Sequence, residues 1–257
     1  MAFGDINRRR FIALGSAGSL LALSGCATVG VYRYKVALEF DTPSGPRSGS
    51  TILEATYGWH ATLETMFAED LSIRGEAIYV DLGQDKFVVG LLNTGRMLPL
   101  PALYDVLGWA RPDIHELRAH EGKLSGKAPL PGGEAPILVT FTGLDNPDTV
   151  KLVYEAKLNR RLSYSYDYER KMQSVKEVSR GSEVTSDNFE AAFGKGYVLR
   201  GATLEIVDPK TPFTTTVRDK LGAILSRIGN AGPVVEGVIT ETKSVFRLQR
   251  THLVQGL

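Results

Sequence analysis

Few side chains in this sequence of 257 residues can do chemistry, and their spacing limits what they can do. Cys26 is the only cysteine, so no intramolecular disulfide and no multi-thiolate metal site can form. The four histidines are His60, His115, His120 and His252. His115-Glu116 and His120-Glu121 form the one histidine cluster. A helical zinc-protease site needs two histidines four apart, with both rings on one face. Here the spacing is five, with Ala119 in the second ligand's place, and a helix would set the rings about 140° apart. A solvated charged face is the expected outcome, with no metal. Ser48-Gly49-Ser50 lacks the Gly-x-Ser-x-Gly pattern of a nucleophile elbow and reads as small residues in a hairpin turn. No spacing ties His60 or His252 to a serine.

Two further patterns bear on binding. Gly194-Lys195-Gly196-Tyr197 has phosphate-loop composition in the wrong order. It follows a helix and precedes a strand, so it reads as helix termination. Tyr164, Tyr166 and Tyr168 alternate, which puts them on one face of a strand. Such a stripe can stack on sugars or pack half-buried against a sheet. Arg160, Arg161, Arg170 and Lys171 flank it, while Asp167 and Glu169 interleave and dilute the positive field. Carboxylate pairs such as Glu76 with Asp81, or Asp105 with Asp113, have no spacing that marks them as acid and base. No cofactor motif occurs.

The elements that would position these residues are mostly strands. Val29 to Phe40 alternates with one apolar face and predicts a strand. Thr42-Pro43-Ser44-Gly45-Pro46 is a turn, and Ser50 to Trp59 returns to make a hairpin. Ile73 to Leu82 predicts one strand, Gly83-Gln84-Asp85 a turn, and Phe87 to Leu92 its partner. A short helix is expected over 101–109. Ile137 to Thr142 reads as a strand, and residues 154–187 as a polar, charged segment and a candidate insertion. Thr185-Ser186-Asp187 is expected to cap a helix running to Phe193. Tyr197 to Val207 then predicts a strand and Thr216 to Ile228 an amphipathic helix. Val234 to Thr240 and Ser244 to Leu248 are expected to close the chain as strands. The fold class expected is α+β: a largely antiparallel β-sheet with a few short helices.

The surroundings of Cys26 give its thiol a role. Arg8, Arg9 and Arg10 precede a short apolar run from Ile12 to Leu23, which ends in Ser24-Gly25-Cys26. The run is far shorter than the ~20 apolar residues needed to span a bilayer. The order of basic, apolar and small residues is that of an export signal removed after translocation. Leu23-Ser24-Gly25-Cys26 resembles the lipobox of bacterial lipoproteins. The resemblance implies cleavage before Cys26, a diacylglyceryl group on its thiol and usually an acylated new amine. The alternative is a non-lipidated signal cut near Ala27. Arg8, Arg9 and Phe11 also match the twin-arginine export pattern, with Asn7 and Ala13 departing from its common residues. General secretion and twin-arginine export both remain open. Ala27 follows the cysteine where an Asp often retains such proteins at the inner membrane. Its presence resembles the class sorted to the outer membrane. Loss of residues 1–25, with Arg8, Arg9, Arg10 and Asp5, takes the formal charge from +1 to −1. That balance argues against nucleic acid as a partner.

Several body segments resemble an uncharacterised family of proteobacterial envelope proteins. They are Tyr32 to Val36, Asp41-Thr42-Pro43, Ser48-Gly49-Ser50, Arg74-Gly75-Glu76-Ala77 with Val80 to Gly83, and Phe193 to Tyr197. The resemblance implies no activity. The expectation is therefore a signal peptide over 1–25 and a periplasmic body over 26–257. The body would be held to the membrane by lipid and act as a non-enzymatic binding or assembly component, with envelope proteins or glycan as partners. A periplasmic hydrolase with an unrecognised site and a glycan-binding module using the tyrosines are the alternatives.

Overall fold

The computed structural model describes residues 27–60, 68–92, 123, 125–130, 135–167, 172–229, 232–238 and 246–256. The export segment and the helix expected over 101–109 lie outside them. β1 (Ala27–Asp41) and β2 (Arg47–His60) form a long hairpin, followed by β3 (Ala68–Glu76), β4 (Ile78–Gly83) and β5 (Lys86–Gly90). Next come β6 (Gly126–Pro129), β7 (Leu138–Phe141), β8 (Val150–Asp167) and β9 (Met172–Asp187). A short helix α1 (Phe189–Phe193) leads to β10 (Val198–Ile206), then α2 (Thr216–Arg227) and the terminal β11 (Val254–Gln255). One sheet runs β11-β3-β2-β1-β10-β6 and the other β4-β5-β7-β8-β9. Every pairing between these strands is antiparallel. The antiparallel sheet and few helices agree with the sequence. The described residues form a predominantly β fold rather than a balanced α+β one.

Alternation decides the core. Tyr32, Tyr34, Val36, Leu38 and Phe40 of β1 are buried, while the residues between them are half-buried. They pack with Ile78, Val80 and Leu82 of β4, Leu138 of β7 and Leu204 of β10 in one cluster between the sheets. Burial alone pushes the Tyr34 hydroxyl well above its usual range. α2 adds Val217, Leu221, Ile224 and Leu225, the i, i+4, i+7, i+8 stripe that its periodicity predicts.

Ile73 to Leu82 is not one strand in one sheet. β3 belongs to the first sheet and β4 to the second, with only Ala77 between them. The cause is Gly75, which takes φ +145°, where a Cβ would lie 2.5 Å from Leu53 Cδ2. The chain then continues beside β2 without pairing to it. At Gly49 a Cβ would stand 2.3 Å from the Tyr79 carbonyl oxygen, so only glycine permits the approach.

Ser48-Gly49-Ser50 therefore lies in β2, opposite Glu39, Leu38 and Ala37, and not in the turn. The turn itself is closed by the Gly45 N–H donating to the Thr42 carbonyl at 2.9 Å. Thr185 to Asp187 end β9 and do not cap in the expected way. Asn188 is the N-cap of α1, without a side-chain cap, and the Phe189 N–H reaches Asp187 Oδ1 at 3.3 Å. Of the two closing strands expected, the described residues keep one antiparallel bridge, Val234 with Arg247, flanked by bonds between the same two segments from the Val235 N–H to the Phe246 carbonyl at 3.0 Å and from the Leu248 N–H to the Pro233 carbonyl at 2.9 Å; residues 239–245 lie outside the described ones.

Candidate functional site

Only some of the residues expected to bear function are among the described ones. Cys26, Arg8, Arg9, Phe11, Tyr168, His115 and His120 lie outside the described residues. His60 ends β2. His252 sits in a one-turn 3₁₀ helix, Arg250–His252, far along the chain from any partner histidine. Its ring stacks on Phe246 with centroids 5.0 Å apart, and Nδ1 accepts the Gln249 N–H at 3.0 Å. Burial lowers its pKa, because the charged imidazolium loses solvation. Its occupied Nδ1 and stacked ring make it a structural residue. Among the described residues no group of three or more His, Cys, Asp or Glu side chains could hold a metal ion.

Glu76 and Asp81 do different jobs. Asp81 is exposed and accepts the Gly83 N–H at 2.8 Å within the β4–β5 turn. Glu76 is wholly buried at the end of β3. Its carboxylate oxygens accept the N–H groups of Val217 at 3.2 Å and Arg218 at 3.4 Å, at the start of α2. Arg218 Nε lies 3.8 Å away. The free N–H groups of a helix's first turn carry partial positive charge, and a carboxylate there supplies both acceptors and opposite charge. Glu76 thus caps a helix remote from it in sequence. Sequence reasoning missed this role, since the Thr215 side chain at the helix start bonds Asp219 instead.

A second node lies on the outer face of the first sheet. Arg33, Glu54 and Arg74 are neighbours in register on β1, β2 and β3. Arg33 Nε donates to Glu54 at 2.9 Å, and a second Arg33 nitrogen donates to the Thr211 carbonyl. Both guanidinium groups lie on the Phe213 ring, at 4.3 Å and 5.0 Å from its centroid. This cation–π clasp pins the segment before α2 across three strands.

At the other end of the body, Gly194 and Gly196 terminate α1 with φ +92° and +86°. Lys86 Nζ donates to the Phe193 carbonyl at 2.8 Å, placing a cation at the helix's negative end. The Gly-Lys-Gly-Tyr segment is helix termination with a lysine cap, and no phosphate cradle.

Tyr164 and Tyr166 lie on β8, where the pairing is unusual. β7 covers β8 only from Val150 to Tyr154. Beyond that point, among the described residues, β8 and β9 pair only with each other, from Ala156 with Val184 to Asp167 with Met172. The segment expected to be an insertion is thus a two-stranded arm. In the backbone register Tyr164 pairs with Val175 and Tyr166 with Gln173. Among the described residues no helix is long and apolar enough to cross a membrane. Compared with protein-family models, curated proteins and solved structures, the chain matches none.

Proposed function

We propose that this chain is a bacterial envelope lipoprotein, acylated at Cys26, whose body serves as a non-enzymatic binding or assembly component. The observation that carries the reading is the position of Leu23-Ser24-Gly25-Cys26. It follows a short apolar run behind Arg8, Arg9, Arg10 and Phe11, and stands one residue before β1. Only cysteine offers a thiolate to an acyl donor there. Two or three acyl chains, at about 0.8 kcal/mol per buried methylene, hold a body at a bilayer for its lifetime. Ala27 in place of Asp favours the outer membrane. The structural roles of Glu76, Asp81 and His252 favour binding over catalysis.

The test is cell fractionation with mass spectrometry. Wild-type protein should sediment with membranes and carry a mass excess of lipid on a Cys26-starting chain, and Cys26→Ser should appear soluble. Wild-type protein in the soluble fraction, or a bare thiol at Cys26, refutes it.

A further inference from the structure

We infer that segment 246–256 is a latch: it couples the crossing between the two sheets to α2, and α2 stays docked only while Leu253 stays seated.

The stretch 252–255 holds both sheets at once. Val254 pairs with Glu76 and Gln255 with Gly75, extending the first sheet beyond the end of β3. The Leu253 carbonyl accepts the Ala77 N–H at 2.8 Å, at the residue between β3 and β4. The His252 carbonyl accepts the Leu92 N–H at 2.7 Å, just past β5 of the second sheet. Strands as short as β11 contribute little pairing of their own. The hold comes from Leu253, which is wholly buried in the core cluster with Leu248.

Glu76 carries this hold to the start of α2. Its backbone pairs with Val254, its carbonyl accepts the Thr51 hydroxyl at 2.8 Å, and its carboxylate accepts the Val217 and Arg218 N–H groups. The Thr51 oxygen also lies 2.8 Å from the Thr214 hydroxyl, in the approach to α2. Lifting Leu253 removes its bond to the peptide that joins Glu76 to Ala77. The backbone fixture behind the carboxylate goes with it, and the helix loses its cap.

The other end of the segment reaches the end of α2. The Leu248 N–H and the Phe246 carbonyl bond to Pro233 and Val235. At Gly232 a Cβ would stand 1.8 Å from the Leu248 carbonyl oxygen and 3.3 Å from Ile228 Cγ2, at the C-cap of α2. Gln249, Arg250 and Thr251 are exposed between the two attachments. Binding or cleavage at this turn therefore acts on Leu253 and, through Glu76, on α2. Such coupling is reciprocal, so a disturbance at either end is felt at the other.

Amide hydrogen exchange tests the latch, read residue by residue by NMR on the mature chain carrying Cys26→Ser. In that chain the Ala77, Leu92, Val217 and Arg218 amides should share one opening with one urea dependence, and it should lie below the global unfolding that exposes the β1–β10 seam. Leu253→Ala should speed exchange at all four by one common factor of at least about thirtyfold. Glu76→Gln, made at the helix end, should likewise speed Leu92 as much as Val217. Leu253→Val keeps most of the side chain and carries the same test if the alanine variant does not fold. The inference is overturned if Leu253→Ala speeds Ala77 and Leu92 but leaves Val217 and Arg218 unchanged, or if Glu76→Gln leaves Leu92 unchanged. It is overturned equally if the four amides exchange only with the seam, since no separate latch then opens.

Discussion

Removing the Glu76 carboxylate should loosen α2 from the body without touching any surface. The side chain is wholly buried and makes two bonds to backbone N–H groups at the helix start. Hydrogen bonds to a charged group contribute about 1.5–3 kcal/mol each, and a carboxylate at a partly buried helix N-terminus contributes up to about 2 kcal/mol. These terms overlap, since both describe the same carboxylate and the same N–H groups. Glu76→Ala also orphans two donors and leaves Arg218 Nε, already buried without a hydrogen bond, with no ion-pair partner. A loss of about 3–5 kcal/mol is expected, chiefly from the two charge-assisted hydrogen bonds at about 1.5–3 kcal/mol each. Glu76→Gln keeps one acceptor and loses the charge, so about 2–3 kcal/mol is expected. Arg218→Ala should cost under about 1 kcal/mol, because the ion pair is long and the arginine side chain is 39% exposed. Urea unfolding of the mature Cys26→Ser chain, followed by tryptophan fluorescence and circular dichroism, measures all three. If Glu76→Gln matches wild type within experimental error, or Arg218→Ala costs as much as Glu76→Ala, the helix-capping account is wrong.

Gly49→Ala should destabilise the body by at least about 2 kcal/mol, because its methyl would overlap the Tyr79 backbone rather than a movable side chain; thermal unfolding reads this directly. Phe213→Ala removes the ring under Arg33 and Arg74 and should cost about 1–3 kcal/mol, with increased proteolysis between β10 and α2 as the local signature. His252 is held below its ordinary pKa of 6.5 by burial, so the unfolded chain binds its proton first as pH falls. Stability should be full above that value and decline as pH drops from there through the folded pKa, and His252→Gln should flatten this part of the stability–pH curve.

Much of the fold was legible because alternation is local. β1, β2 and β10 follow from apolar parity, and α2 from its stripe of Val217, Leu221, Ile224 and Leu225. Two of the misreadings share a source, which is that glycine's role depends on a neighbour the sequence does not name. Gly75 divides an otherwise uniform apolar run between two sheets, and Gly49 lies within a strand because another backbone presses on it. The arm was illegible as a hairpin because residues 160–180 contain no glycine, proline or asparagine to mark a break between strands. Glu76 as a cap was invisible because its helix lies some 140 residues downstream.

The pairing of β1 with β10 joins Tyr34 to Ile206 and Asp41 to Val198. A ribosome has delivered most of the polypeptide before that seam can zip. Until then β1 has one bare edge, open to any passing strand. Such topologies close slowly, since the entropy of a very long loop must be lost before its contacts form. A nascent chain of this design stays threadable for longer than a helical bundle of equal size, and it needs guarding against edge-to-edge aggregation throughout that interval.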